Sequence, residues 1–266
     1  MKVVLFCGGM GMRMKEYSDS IPKPMVNIGY RPILWHLMKY YAHFGHKEFI
    51  LCLGYRGDTI KSYFRNYDEC LSNDFTMTRG GREVRLDKTD IEDWTITFVE
   101  TGPQSNIGQR LNAVKSHIKE DEMFLANYTD GLTDFNLPTM TEDFVKQAAI
   151  GCFLSVRPIQ SFHVVSVRDD GRVADIKDLN NSGLWINGGF MIFRREIFDY
   201  LKPGEELVHE PFARLIKRDK LISCRHEGFW VSMDTFKDKQ RLDDMYARGE
   251  TPWMLWQAES GVEKSR

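Results

Sequence analysis

A glycine-rich turn and two nearby cations are the first residues whose types and spacing indicate chemistry. The run Gly8-Gly9-Met10-Gly11-Met12-Arg13 directly follows a short apolar segment, and Lys23 stands between two prolines ten residues later. A buried strand that ends in glycines exposes backbone N–H groups that can hold phosphate oxygens. Arg13 and Lys23 add positive charge beside that turn. The pattern predicts a nucleoside triphosphate site; the alternatives are a tight structural turn and a solvated loop lysine.

Two aspartates follow apolar segments later in the chain. Asp130 comes after the run 123–127, so we expect it at the carboxyl edge of a sheet, where ligands of open α/β folds bind. A carboxylate beside phosphates suits Mg²⁺, whereas the alternative for Asp130 is an Asp-Gly turn. Asp234 follows the aromatic-rich segment 229–233 and opens a predicted helix. It is a second candidate site residue, and a helix N-cap is its alternative.

Other positions carry weaker signals. Lys177 ends a predicted strand at 173–176, and a surface lysine is its alternative. Asn187 and Gly188 lie inside the predicted strand 185–193, where a glycine indicates a bulge or close approach of a ligand. Several motifs are absent from the sequence: the G-K-[ST] of a P-loop, the dinucleotide G-x-G-x-x-G, H-E-x-x-H, G-x-S-x-G and D-x-D. Their absence argues against zinc hydrolases, α/β-hydrolases, NAD-dependent dehydrogenases and metal-dependent glycosyltransferases.

The composition of the chain limits the kinds of partner that it is expected to bind. The chain has 266 residues, 36 basic and 38 acidic, and a formal charge of −2. This balance predicts neither a nucleic-acid nor a membrane partner. Five scattered cysteines without a C-x-x-C pair are typical of reduced thiols in a cytoplasmic protein. No apolar stretch approaches the ~20 residues that cross a bilayer.

Apolar runs and helical spacing alternate along the chain, which predicts an α/β fold with a parallel sheet. The predicted strands of the first half are 2–7, 49–53, 94–100 and 123–127, and the helices are 33–44, 59–64, 107–118 and 141–149. Between about 67 and 93 the alternation of strands and helices stops, and the pattern predicts a hairpin with its turn at Gly80-Gly81. This hairpin is a plausible subunit contact. We expect a single domain over 1–258 and a polar tail at 259–266.

Taken together, these residues resemble the sugar nucleotidyltransferase (nucleoside-diphosphate-sugar pyrophosphorylase) family. The opening signature of that family, G-G-x-G-[ST]-R followed by P-K-P-[ML], is matched by 8–13 and 22–25. Further matching segments are Tyr128-Thr129-Asp130-Gly131, Ile186-Asn187-Gly188-Gly189-Phe190 and Met233-Asp234-Thr235. The match runs nearly end to end and is strongest to the cytidylyltransferases of the family.

The resemblance implies a Rossmann-like, mixed and mostly parallel sheet flanked by helices, with a small hairpin excursion. It also implies Mg²⁺-assisted transfer between CTP and a sugar 1-phosphate, glucose 1-phosphate being favoured, in a homo-oligomer. The implied catalytic set is Arg13, Lys23, Asp130 and Asp234, of which Asp130 and Asp234 hold the metal. The implied nucleotide-binding residues are Cys7, Gly8, Gly9, Met10, Gly11, Met12, Arg13, Lys23, Ser105, Arg110 and Thr129. The implied sugar-phosphate residues are Lys177, Asn187 and Gly188.

The sequence departs from the family pattern at several positions. Met12 replaces the usual Thr or Ser, Gln109 replaces a glycine, and His163 interrupts a Phe-Gly-Ala stretch near the sugar pocket. The charged set is retained, so the chemistry is better supported than the identity of the sugar. The alternatives are the same chemistry on another phosphorylated substrate and a non-catalytic nucleotide-binding module.

Overall fold

An eight-stranded sheet forms the centre of the computed structural model, which describes residues 1–9, 21–159 and 162–258. Its strands are β1 (Val3–Phe6), β4 (Glu48–Leu53), β7 (Thr95–Glu100), β8 (Met123–Tyr128), β10 (Gly151–Val156), β13 (Ile186–Asn187), β14 (Met191–Arg194) and β15 (Leu221–His226). β1 runs parallel to β4 on one side and to β8 on the other. β14 pairs antiparallel with β8 and β10, and β15 runs parallel to β10. The sheet is therefore mixed and mostly parallel, as predicted.

Helices cover both faces of this sheet. The α-helices of the described ranges are α1 (Ile33–His43), α2 (Gly57–Arg65), α3 (Ile107–Ala113), α4 (Leu137–Lys146), α5 (Glu210–Ile216), α6 (Phe236–Ala247) and α7 (Leu255–Ala258). Because side chains alternate along a strand, Leu5 of β1 packs in a core cluster with Leu34 of α1, whereas Val4 packs on the other face with Leu111 of α3. Within the described ranges, no helix is both long and apolar enough to span a membrane.

The helix predicted at 141–149 begins four residues and ends three residues earlier than expected, at Leu137–Lys146. Its first turn contains Pro138, which has no N–H to leave unpaired there. It ends before Ala148, whose φ of 48° is outside the helical region. The predicted long strand around 185–193 is interrupted, as expected, between β13 and β14.

Four short strand pairs stand apart from the main sheet. They are β2 (Asn27–Ile28) with β3 (Arg31–Pro32), β5 (Phe75–Thr78) with β6 (Glu83–Leu86), β9 (Gly131–Thr133) with β16 (Trp230–Ser232), and β11 (His163–Val167) with β12 (Val173–Asp178). The predicted hairpin excursion is confirmed, because β5 and β6 pair antiparallel with Phe75 opposite Leu86. Gly80 and Gly81 provide its turn, with φ values of 68° and 91°.

A buried arginine holds the start of the excursion against the main body. Arg31, which is 1% exposed, donates from Nη1 to Tyr63 Oη at 3.2 Å and from Nη2 to the Asp68 carbonyl at 2.7 Å. Its guanidinium also lies 3.5 Å from the carboxylate of Asp90. Since Asp68 and Asp90 flank the hairpin in sequence, one side chain fixes both of its ends.

Candidate active site

The described charged residues predicted for catalysis form one cluster. Lys23 Nζ donates to Asp130 Oδ2 at 2.6 Å and to Asp234 Oδ1 at 2.8 Å. The Lys23 side chain is 15% exposed, and the two aspartates are 29% and 33% exposed. Residues separated by more than a hundred positions in sequence therefore share one partly hydrated site.

Pairing of β9 with β16 brings the two aspartates together. Gly131 lies opposite Ser232 in this antiparallel pair, and the Met233 N–H donates to the Asp130 carbonyl at 2.8 Å. Asp130 directly precedes one strand and Asp234 closely follows the other, so both carboxylates emerge at the same end. Ser232 Oγ donates to Asp234 Oδ2 at 2.7 Å and orients the second carboxylate.

The alternative role of Asp234 as a helix N-cap is wrong. Thr235 is the N-cap of α6, because its side chain accepts from the Asp238 N–H and the Asp238 side chain accepts from the Thr235 N–H. This capping box satisfies the helix terminus without the Asp234 side chain. The Asp234 carboxylate is thus directed to Ser232 and Lys23 instead.

A separate apolar cluster supports the three segments that carry the charges. It contains Val26 and Ile28 after Lys23, Leu132 after Asp130, and Val231 and Met233 before Asp234. Trp253, which is 1% exposed, packs in the same cluster. Lys23 itself lies in a short 3₁₀ turn, Lys23–Met25. The cluster therefore fixes the backbone from which each charged side chain extends.

Two opposing effects act on the charge of Lys23. Burial lowers the pKa of its ammonium group, and the neighbouring carboxylates of Asp130 and Asp234 raise it. The carboxylates prevail, so the pKa lies above the ordinary value for lysine. Lys23 is accordingly a cation throughout the physiological range.

A cavity of about 480 Å³ opens beside this cluster. It is lined by Phe6, Gly9, Lys23, Pro24, Ser105, Asn106, Ile107, Arg110, Tyr128, Thr129, Asp130, Glu206 and Asp234. Its walls come from the carboxyl ends of β1 and β8 and from the amino end of α3, the edge where ligands of open α/β sheets bind. Most predicted nucleotide-binding residues that the structure describes line this one cavity.

Arg110 is 2% exposed and holds three strand ends together at the base of the cavity. Its Nη1 donates to the Leu53 carbonyl at 3.2 Å and to Thr101 Oγ1 at 2.7 Å, and its Nη2 donates to the Gly8 carbonyl at 3.0 Å. A Cβ at Gly8 would lie 1.9 Å from Arg110 Nη1. The glycine therefore allows the guanidinium to approach, and Arg110 positions the ends of β1, β4 and β7.

The remaining predicted nucleotide-binding residues differ in burial and in their hydrogen-bond partners. Thr129 is buried and donates from Oγ1 to the Phe6 carbonyl at 3.2 Å, and the Ser105 hydroxyl donates to the Thr101 carbonyl. Cys7 is buried in the core cluster that contains Leu5 and Leu34 and does not line the cavity, and burial raises the pKa of its thiol well above the ordinary range. Met10, Gly11, Met12 and Arg13 lie outside the described residues.

The sugar-phosphate candidates are not among the described residues that line the cavity, although the Asn187 side chain hydrogen-bonds with Tyr128, which does line it. Lys177 on β12 is half-exposed and pairs with Asp175 at 3.0 Å. Asn187 Oδ1 accepts from the Gly189 N–H at 2.9 Å. The Gly188 carbonyl accepts from Trp230 Nε1 at 2.9 Å, and a Cβ there would lie 2.9 Å from Val156. Packing alone therefore accounts for glycine at this position, and the contact with a sugar phosphate stays a prediction.

Two residues that line the cavity, Tyr128 and Glu206, are not among the predicted site residues. Glu206 accepts from the Leu207 N–H at 3.0 Å and from the Ile107 N–H at 3.3 Å, which ties its loop to the start of α3. Burial raises the pKa of Tyr128 to about 12. Tyr128 stands next to Thr129 in a segment singled out by resemblance, whereas nothing near Glu206 in sequence points to the cavity.

The charges of the cavity suit a divalent cation together with a polyphosphate. Among its described lining residues, the carboxylates of Asp130, Glu206 and Asp234 outnumber the cations of Lys23 and Arg110. A triphosphate would need further positive charge there, and paired carboxylate oxygens are ligands that Mg²⁺ accepts. The Lys23 ammonium already takes a cation's place between two of them. In the part of the chain described, no group of three or more metal-ligating side chains is assembled, so phosphate oxygens and water would complete such a site.

Comparison with known proteins agrees with this geometry. Residues 2–237 match the family described as nucleotidyl transferase. The probable glucose-1-phosphate cytidylyltransferase of Bacillus subtilis (strain 168) is 38% identical over 258 residues, which are 96% of this chain and 100% of that protein. The glucose-1-phosphate cytidylyltransferase of Salmonella typhimurium is 36% identical over 260 residues, 97% and 100% of the two chains. UDP-glucose pyrophosphorylase from Acinetobacter baumanii has a similar fold, with a TM-score of 0.68 at 18% identity and 97% of each chain covered.

Proposed function

Because the chain belongs to the nucleotidyl transferase family, we propose that it joins CTP and a sugar 1-phosphate into a CDP-sugar and pyrophosphate. Glucose 1-phosphate is the favoured acceptor. The observation that carries the proposal is the 36–38% identity with glucose-1-phosphate cytidylyltransferases over almost the whole of both chains. The cavity beside Lys23, Asp130 and Asp234 provides a place for such a reaction.

The proposed transfer requires that the two phosphorylated substrates be positioned and that their negative charges be neutralised. An oxygen of the sugar 1-phosphate forms a bond to the α-phosphorus of CTP, while the bond to the β-phosphate oxygen breaks and pyrophosphate leaves. The attacking oxygen is already anionic near neutral pH, so no general base is needed. Among the described residues, the site has a protonated lysine, glycines at the end of β1 and carboxylates, but no activated nucleophile, which suits this reaction.

Each predicted residue has a proposed part in it. Lys23 binds phosphate oxygens, as Arg13 does, and Asp130 with Asp234 would hold Mg²⁺. When bound, Mg²⁺ would offset the charge of the phosphates and favour departure of pyrophosphate. The proposed nucleoside wall consists of Cys7, Gly8, Gly9, Met10, Gly11, Met12, Ser105, Arg110 and Thr129. The proposed sugar-phosphate contacts are Lys177, Asn187 and Gly188.

Two further proposals concern the whole protein. We propose a cytoplasmic homo-oligomer formed by a single domain over 1–258. The β5–β6 hairpin supports the oligomer, because Phe75, Met77 and Val84 are 44%, 60% and 50% exposed there. Exposed apolar side chains on a ribbon held in place by Arg31 suit contact with a second copy of the chain.

Pyrophosphate release tests the proposed reaction. The purified protein would be mixed with Mg²⁺, one of CTP, UTP, dTTP or GTP, and one of a panel of phosphorylated sugars and alcohols. We expect release with CTP and a sugar 1-phosphate, and none when the acceptor is omitted. Release with a non-sugar acceptor alone would identify a different substrate, and no release with any pair would favour a nucleotide-binding module.

A further inference from the structure

The position of Lys23 between two carboxylates has a consequence for the order in which ligands bind. Its ammonium nitrogen is 2.6 Å from Asp130 Oδ2 and 2.8 Å from Asp234 Oδ1, which are normal distances for charge-assisted hydrogen bonds. One oxygen of each carboxylate is therefore already bound to a cation. We propose that Lys23 is an internal counterion that closes the two-carboxylate site to divalent metal until a polyphosphate binds its ammonium group.

The surroundings of the cluster hold this arrangement in place. Lys23 begins a short 3₁₀ turn and stands between Pro22 and Pro24, whose rings restrict the backbone on both sides of it. The turn is closed by a hydrogen bond from the Met25 N–H to the Pro22 carbonyl at 2.8 Å. Asp130 is fixed by the β9–β16 pairing, and Asp234 is oriented by Ser232. The three groups are thus preorganised around one another rather than meeting by chance on a mobile surface.

Two cations compete for the same oxygens. A divalent ion that entered between Asp130 and Asp234 would place its charge next to the lysine ammonium, and like charges at such a distance repel strongly. The lysine can leave only when its ammonium gains another anionic partner, because a cation with reduced access to water needs a replacement for its hydrogen bonds. A nucleoside triphosphate in the adjoining cavity has such oxygens.

The inference rests on the proposed function for the identity of the polyphosphate, but the competition between Lys23 and the metal does not require turnover. It predicts that metal and nucleotide bind cooperatively, and that the protein without nucleotide has little affinity for metal at this site. The lysine would then contribute twice, first as a counterion of the carboxylates and afterwards as a partner of the phosphates.

Titration of Mn²⁺ into the nucleotide-free protein, followed by electron paramagnetic resonance of the unbound ion, tests the proposal. Lys23→Met should bind Mn²⁺ at least about tenfold more tightly than the wild type, within the usual range of coupling between two sites. Lys23→Arg retains the positive charge and should bind Mn²⁺ as weakly as the wild type. Mn²⁺ should also raise the melting temperature of Lys23→Met more than that of the wild type.

Two further variants identify the cause of any gain in Mn²⁺ affinity. Lys239→Met removes one positive charge from α6, where Lys239 pairs with Asp243, and leaves the cluster intact; it should not gain affinity. Lys23→Met combined with Asp234→Asn should lose the affinity that Lys23→Met gained. Equal Mn²⁺ affinity in the wild type and Lys23→Met, or an equal gain in Lys239→Met, would overturn the proposal.

The same proteins separate this inference from the proposed function. If Mn²⁺ binding follows the predicted pattern but no acceptor yields pyrophosphate, the counterion role of Lys23 stands and the proposed reaction fails. If pyrophosphate is released but Lys23→Met gains no affinity for Mn²⁺, the reaction stands and the counterion role fails.

Discussion

Lys23, Asp130 and Asp234 form a cluster of one ammonium group and two carboxylates at a cavity edge, in which the single lysine pairs with both aspartates. The lysine compensates two carboxylates that are about one-third exposed. Because all three have water nearby, removing one is unlike deleting a fully buried charge, and the fold should persist. Loss of function and loss of stability can therefore be measured separately at these residues.

Substitution of Lys23 or Asp130 by alanine is the first prediction at the residue scale. Each variant should lose roughly 10²–10³ in turnover, since each loses one group aimed at the reacting phosphates or their metal. Asp121→Ala is the matched control, because Asp121 also pairs with a lysine, Lys2, at 2.8 Å but does not line the cavity. Wild-type turnover in either cavity variant would contradict the assigned roles.

The second prediction at the residue scale concerns His36 and the pH dependence of stability. Burial lowers the pKa of its imidazole from 6.5 to about 4. Nε2 lies 3.0 Å from the Ile28 carbonyl and therefore donates to it, and Nδ1 accepts from Trp253 Nε1, so the neutral ring is fully engaged. Between these pH values the unfolded chain binds more protons than the folded one, and stability decreases as pH falls from about 6.5 to about 4.

Urea unfolding at pH 7.5 and pH 4.5 measures this effect. The His36 contribution to the loss of unfolding free energy should be roughly 2–3 kcal/mol, at about 1.4 kcal/mol per pKa unit. His36→Gln should reduce the pH dependence of the unfolding free energy by that amount. An identical pH dependence in wild type and His36→Gln would show that His36 titrates normally.

At the scale of elements, the hairpin excursion depends on one buried arginine. Arg31→Met should lower the unfolding free energy by roughly 3–5 kcal/mol, because it removes the hydrogen bonds that the buried guanidinium donates to Tyr63 and Asp68. It also removes one of the two cations near Asp90, which keeps Lys39 at 3.8 Å. Hydrogen exchange should increase most over 67–93 and least in β1 and β8. Arg85→Met, on the exposed hairpin itself, is the control; equal exchange in the two variants would show that Arg31 does not anchor the excursion.

A further prediction concerns the proposed homo-oligomer and the apolar side chains of the β5–β6 hairpin. Met77→Lys, alone or with Phe75→Lys, should shift the protein to a smaller species in light scattering, because it places charge where a second copy would pack. Val145→Lys changes an apolar side chain that is also about half exposed, on α4, and should leave the mass unchanged. A monomeric wild type, or an oligomer insensitive to Met77→Lys, would contradict the proposed contact.

The structure also indicates which elements sequence reasoning can find. β1, β4 and β8 are continuous apolar runs buried on both faces, so they are easily identified. β15 is half-buried at the sheet edge, and β9 has only three residues; neither gives a strong local pattern. Their existence depends on pairing with distant partners, β10 and β16, which no local window contains.

In the whole molecule, the site residues likewise divide into those that a local sequence pattern identifies and those that only distant contacts bring to the cavity. Lys23, Asp130 and Asp234 are recognisable because each follows a distinctive local segment, and chain topology brings them together. Glu206 reaches the cavity only because its loop bonds to Ile107, a contact across 99 positions. Arg110 is predicted to recognise the nucleoside, yet its guanidinium donates hydrogen bonds to Gly8, Leu53 and Thr101, so its positioning role becomes visible only in three dimensions.

Phosphorus nuclear magnetic resonance of a single reaction mixture tests the central claim most directly. The wild-type protein would be incubated with CTP, glucose 1-phosphate and Mg²⁺, with Asp234→Asn in parallel. We predict that CTP and glucose 1-phosphate disappear together while the paired signals of a CDP-sugar and one equivalent of pyrophosphate appear, and that Asp234→Asn yields neither at a comparable rate. Unchanged CTP, or pyrophosphate without a CDP-sugar, would contradict the proposed transfer to glucose 1-phosphate.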